Sequence, residues 1–137
     1  MRFDLVDSVL EKSSTRAVTR KQVSLAEEYL QDHFPGFPVL PGVMMLESMV
    51  QAARLVAGEL QPGARYVLGT VRALKYGSFV KPGDAIMVTV ELGKAEGHVL
   101  EFKGQALLQR AGEPLPNADS APTAVSGRFT LRPVNIG

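Results

Sequence analysis

The 137-residue sequence contains no cysteine, which excludes disulfides, thiolate metal sites and a cysteine nucleophile together. It has only two histidines, His33 and His98, in unlike surroundings. A catalytic zinc commonly takes two or three imidazoles, so a metal centre is not expected. Apolar residues nowhere run for the ~18 positions that a membrane span needs. Fifteen Lys and Arg stand against fourteen Asp and Glu, a formal charge of +1. The whole-molecule field that draws proteins to nucleic acid or to an anionic membrane is therefore missing. The opening MRFDLVDS lacks the charged stretch followed by an apolar one that marks a secretory leader. With 45% hydrophobic residues the chain can bury a core, and its length suits one domain over residues 1–137. A cytoplasmic protein is expected.

Proline is unevenly spread. The block HFPGFPVLPG, residues 33–42, holds three Pro and two further turn-forming Gly, which no helix or central strand tolerates, so it reads as a structured loop. Arg16–Val23 ahead of it is compatible with a strand, and Leu25–Leu30 with a short helix. From Val43 to about Leu60 there is no proline, and good helix formers lead to Gln61-Pro62-Gly63, a stop signal. The apolar residues of this stretch surround nearly the whole helix, the pattern of burial on most sides. Glu47, Gln51 and Arg54, at i, i+4 and i+7, form its polar stripe beside Ser48.

Beyond the helix the period changes to two. Tyr66–Leu74, the alternations around Ile86–Leu92 and Leu100–Leu108, and a last one over Val125–Leu131 predict antiparallel meander strands, with Gly93–Gly97 as a hairpin turn. Ala111–Ala124, with three Pro, reads as a long exposed loop. One buried helix followed by antiparallel strands fits an α+β fold in which a sheet wraps around a central helix.

One region joins a titratable side chain, constrained backbone and a helix start. His33 can act as a base near neutrality, and the proline-rich loop would hold its ring. Gly42 lies where loop becomes helix, so its N–H belongs to the unpaired amides of a helix N-terminus and suits a carbonyl oxygen that gains negative charge. Glu47, about one turn further on, lies on a mostly apolar helix, where desolvation favours the protonated carboxyl that donates a proton. Base, acid and oxyanion donor are the parts needed to remove a proton α to a carbonyl, a thioester for example, with loss of a β-hydroxyl.

The stretch HFPGFPVLPGVMMLESMVQAA resembles the signature of the (3R)-hydroxyacyl-[acyl-carrier-protein] dehydratases of type II fatty-acid synthesis, the FabZ type, whose pattern is HFPGxPxxPGVxxxExxAQ. The His33-to-Glu47 separation of 14 is kept, and FDLVDSVLE, Tyr66–Gly69, Lys75-Tyr76 and Val80–Asp84 resemble further landmarks. The resemblance implies the hot-dog fold, an antiparallel sheet wrapped around one long central helix. It implies His33 as catalytic base, Glu47 as the carboxyl that handles the departing hydroxyl, and Gly42 N–H on the thioester carbonyl, with no metal or organic cofactor. It also implies active sites shared between two subunits of a homodimer or trimer of dimers, and an acyl carrier protein bearing the 3-hydroxyacyl chain as partner. Tyr76 and Phe79 are candidates for the mouth of the acyl tunnel.

The sequence departs from the family pattern at four places: Phe37 replaces a usual His or Arg, Val50 a usual Ala, Gly77-Ser78-Phe79 two basic residues and a Pro, and the Ala111–Ala124 loop is long. Arg72, Lys75, Lys81 and Arg54 are the candidate cations that replace the missing basic pair. Met44, Met45 and Met49 read as core, Gln51 as a packing residue or an orienter of Glu47, and His98 as an exposed turn residue. Alternatives are a related hot-dog enzyme (a polyketide or specialised-lipid dehydratase, a CoA-ester hydratase, a thioesterase) and a non-catalytic acyl-binding homologue.

Overall fold

A computed structural model describes residues 4–24, 39–117 and 121–134. His33, Phe37 and the short helix expected at Leu25–Leu30 lie outside the described residues.

Six strands and one long helix make up the described chain: β1 (Ser8–Lys12), β2 (Arg16–Gln22), α1 (Gly42–Leu60), β3 (Tyr66–Tyr76), β4 (Ala85–Glu96), β5 (Val99–Gln109) and β6 (Thr123–Pro133). The strands form one antiparallel sheet in the order β1-β2-β4-β5-β6-β3. The period-two pattern sets its inner face. Ile86, Val88 and Val90 of β4, Leu100, Phe102, Ala106 and Leu108 of β5, and Val125, Phe129 and Leu131 of β6 are all buried. The helix lies across them, contacting β2 through β6 and burying Met45, Met49, Val50, Ala52, Ala53, Val56 and Ala57. The rings of Phe102 and Phe129 stack with centroids 5.7 Å apart. Gly104 lets the helix come this close: a Cβ there would lie 2.9 Å from Met49 Sδ and 3.2 Å from the Phe129 ring.

The helix begins and ends near its sequence signals. Pro41 precedes its first residue, and the Pro41 carbonyl accepts from the N–H groups of Met44 and Met45. At the other end Gln61 N–H donates to Ala57 O at 2.8 Å, before Pro62-Gly63.

Three expectations are corrected, and one strand is added to them. The strands are a meander only from β4 to β6, because β3 pairs with β6 at the sheet edge rather than with β4. Burial explains the choice: β3 is exposed over most of its length, whereas β4 is buried on its inner face and takes the centre. The hairpin turn narrows from Gly93–Gly97 to Gly97-His98, since a bulge between Leu92 and Lys94 lets Lys94, Ala95 and Glu96 pair with Glu101, Leu100 and Val99. The added strand is β1, an edge strand exposed throughout and paired with β2. Its exposure on both faces leaves no alternation to read. The 111–124 loop is exposed over most of its described part, but its last two residues, Thr123 and Ala124, belong to β6.

Candidate active site

Two clefts open beside α1, and the candidate residues divide between them. The first, about 300 Å³, is lined by Val39, Leu40, Gly42, Met45, Tyr76 and Phe79, with Gly77, Ser78 and Ala124. Three of the residues singled out from sequence, Gly42, Tyr76 and Phe79, thus meet here. Gly42 is the first residue of α1, and no acceptor among the described residues takes its N–H, as the geometry of a helix start dictates. The Tyr76 ring lies directly over it: a Cβ on Gly42 would sit 2.8 Å from Tyr76 Cζ and 2.9 Å from Cε1. Glycine is what allows the ring to approach. Tyr76 and Phe79 remain 51% and 61% exposed, so they border the cleft instead of filling the core. Met45 and Met49 are core, as expected, while Met44 is half-buried.

The second cleft, about 560 Å³, is lined by Glu47, Arg54, Arg65, Tyr66 and Val67. Glu47 follows Gly42 by five residues, which at 3.6 residues per turn is a rotation of about 140° around the helix. The two residues therefore face different sides of one helix. Glu47 is not the desolvated carboxyl expected from its apolar neighbours in sequence, since its side chain is 38% exposed and faces a guanidinium. Arg54 Nη1 lies 3.4 Å from Glu47 Oε1, and Gln51 Nε2 donates to the same oxygen at 3.4 Å. Gln51 Oε1 in turn accepts from Leu5 N–H at 2.8 Å, and Arg54 Nε donates to Tyr66 O at 3.1 Å. The stripe at i, i+4 and i+7 is thus one network, tied to the segment before β1 and to the start of β3. The stripe was visible in the sequence; its ties to Leu5 and Tyr66 were not, because they cross 46 and 12 residues of chain.

The four candidate cations do not share a face. Arg72 and Lys75 lie on the outer face of the sheet, their register partners being Arg128 and Ser126. A bulge at Ala73, whose φ is 53°, puts these two residues, three apart, on the same side. Arg72 is paired with Glu101 at 3.0 Å. Lys81 belongs to the turn that Asp84 closes by accepting from Lys81 N–H, and Arg54 pairs with Glu47. His98 is exposed in the β4–β5 turn.

A six-stranded antiparallel sheet around one long helix, with a helix-start amide at one flank of that helix and a carboxyl at the other, defines a protein of the hot-dog fold. Solved structures agree: the dehydratase heterocomplex ApeI:P from Xenorhabdus doucetiae superimposes with a TM-score of 0.66 at 19% identity, covering 96% of this chain and 99% of that one. A thioesterase superfamily member from Thermus thermophilus gives 0.65 at 17% identity, over 93% and 85%. The ApeI-like family model, described as ApeI dehydratase, matches residues 9–111. The 3-hydroxyacyl-[acyl-carrier-protein] dehydratase FabZ of Klebsiella pneumoniae subsp. pneumoniae is 39% identical over 111 residues, 77% of this chain and 74% of that protein. The chain belongs to the ApeI-like dehydratase family.

Proposed function

We propose that the chain is a cytoplasmic hydro-lyase of fatty-acid synthesis that converts (3R)-3-hydroxyacyl-[acyl-carrier-protein] to trans-2-enoyl-[acyl-carrier-protein] and water. His33 takes the α-proton while Gly42 N–H receives the charge that develops on the thioester oxygen. Glu47 delivers a proton to the departing β-hydroxyl, so that the C–O bond breaks as the double bond forms. Tyr76 and Phe79 border the path of the acyl chain. An apolar cleft beside the oxyanion donor suits a hydrocarbon chain.

The observation that carries this reading is the placement of Gly42 and Glu47 on opposite flanks of one helix, each opening on its own cleft. Their separation by about 140° around the helix supports a site in which the two come from different copies. Two copies related by a two-fold axis present the Gly42 flank of one to the Glu47 flank of the other, twice over. The homodimer, alone or within a trimer of dimers, is the unit of catalysis, with His33 and Glu47 of each site drawn from different copies.

The test is complementation. His33→Ala and Glu47→Gln are each assayed alone with a carrier-linked 3-hydroxyacyl substrate, then mixed, dissociated and reassembled. Each alone loses turnover. The reassembled mixture regains up to about a quarter of wild-type activity, because half of the molecules are mixed dimers and each of those holds one intact site of two. A wild-type rate for His33→Ala, or release of free thiol in place of water loss, would overturn the assignment. A mixture as dead as its components would overturn the shared site.

A further inference from the structure

The proposed reaction asks Glu47 to meet a hydroxyl at one defined point, yet glutamate has three rotatable side-chain bonds and this one is more than a third exposed. Left alone it would sample many orientations. Its surroundings remove that freedom from one side only. Gln51 and Arg54 both converge on Oε1 at 3.4 Å, and no donor among the described residues meets Oε2. Among the described residues the carboxyl is thus held by one oxygen, and Glu47 lines the cleft.

Arg54 is itself fixed. Its Nε donates to Tyr66 O at 3.1 Å, the carbonyl of the first residue of β3, which also lines the cleft. The guanidinium is planar and rigid, so anchoring Nε sets the direction in which Nη1 points. Arg54 transfers the position of the sheet edge to the carboxyl on the helix. Among the described residues, the charged or titratable groups lining this cleft are Glu47 and Arg54 from α1, with Arg65 and Tyr66 from the entry to β3. Glu47 is the one acid among them, so its carboxyl is the group on which this cation acts.

We infer that Arg54 is a positioning residue for Glu47, holding one carboxyl oxygen so that the other faces the substrate hydroxyl. This rests on the role proposed for Glu47. It assigns to Arg54 a task other than meeting an acidic carrier, the use its charge suggests. A half-exposed pair of this kind contributes little to folding, so its effect is expected in turnover.

The experiment compares Arg54→Ala, Arg54→Gln, Arg54→Lys and Glu47→Gln in the full-length, assembled protein. Dehydration of a carrier-linked 3-hydroxyacyl substrate is followed with thermal unfolding alongside. Arg54→Ala and Arg54→Gln lower kcat by about 10- to 100-fold, the scale of a misplaced reacting group, with KM within about three-fold and the unfolding midpoint unchanged. Arg54→Lys keeps more of kcat than either. Millimolar guanidinium restores Arg54→Ala several-fold and leaves Glu47→Gln unaffected, a response that a purely structural arginine would not give. The double variant Arg54→Ala with Glu47→Gln is no slower than Glu47→Gln alone. A wild-type kcat for Arg54→Ala, while Glu47→Gln is dead, overturns the role of Arg54 and leaves the proposed reaction standing. A Glu47→Gln enzyme as fast as wild type overturns both.

Discussion

The two flanks of α1 are built from one stretch of sequence and differ in almost every physical respect. The Gly42 flank is organised by absence: a missing side chain, an amide with no acceptor among the described residues, and an aromatic ring resting where a Cβ would be. The Glu47 flank is organised by pairing, with four polar contacts linking Leu5, Glu47, Gln51, Arg54 and Tyr66. A flank that receives negative charge on a substrate oxygen needs an open donor and room for an apolar chain. A flank that delivers a proton needs a carboxyl held in one orientation. In the proposed reaction one helix would supply both, because five residues turn it by about 140° while its remaining surface is apolar enough to anchor it in the sheet.

The largest effect should come from the polar flank. Glu47→Gln keeps the size and the hydrogen-bonding reach of the side chain but removes the transferable proton. Dehydration should fall by about 10²–10⁴-fold, measured as enoyl thioester formed, with the unfolding midpoint held. A drop below ten-fold would mean that this flank orients the hydroxyl without protonating it. Gly42→Ala probes the other flank. The new Cβ would come within 2.8–2.9 Å of the Tyr76 ring, which is half exposed and free to swing aside, so folding should survive. The amide remains, yet the displaced ring changes the cleft, and turnover should fall by about ten-fold, the cost of a reacting group held about 1 Å out of place being larger still. Adding Tyr76→Ala should relieve the clash. If the double variant is slower than Gly42→Ala alone, the ring has a part in binding beyond bordering the cleft.

The same contrast explains what could be read from the sequence. Helix α1 and strands β4, β5 and β6 were legible because burial writes a period into them: 3.6 along the helix, two along the strands. The edge strands were harder, since β1 buries nothing and the bulges of β3, between Leu68 and Val71 and between Arg72 and Lys75, break its alternation. The motif points to Gly42, and Tyr76 and Phe79 are tunnel-mouth candidates outside it, but the meeting of the three in one cleft depends on Tyr76 ending an edge strand that packs beside the helix start. For Glu47 the sequence suggested an apolar setting, as its neighbours along the chain are apolar. The stripe it shares with Gln51 and Arg54 faces the start of β3 instead, a relation fixed only once the strand is placed. The charge expected for a carrier was likewise visible residue by residue, while its division over three surfaces was set by the Ala73 bulge and by the pairing of Arg54.

Between the flanks, Gly104→Ala tests how firmly the helix is seated. Its Cβ would lie 2.9 Å from Met49 Sδ, 3.2 Å from Phe129 Cε1 and 3.3 Å from Val90 Cγ1, all buried side chains with nowhere to retreat. Overpacking of this kind costs about 1–3 kcal/mol, and the unfolding midpoint should drop by several degrees. The helix carries both flanks together, so both should lose function in step: Gly42-side substrate binding and Glu47-side turnover decline alike. A variant that lost stability but split the two would show that the flanks are seated independently.

The smallest effect is expected at His98, the histidine that neither flank uses. It occupies the exposed two-residue turn between β4 and β5, beside Gly97 and Val99, which are exposed as well, and no hydrogen bond or ion pair ties it to another described residue. Surface substitutions away from packed or hydrogen-bonded features usually fall within about ±0.5 kcal/mol. His98→Ala should therefore leave the unfolding midpoint, kcat and KM where they were, in the same assay in which His33→Ala is inactive. Equal losses at the two histidines would break the comparison at its root, because a base at the tip of the β4–β5 hairpin could serve neither the open amide of Gly42 nor the anchored carboxyl of Glu47.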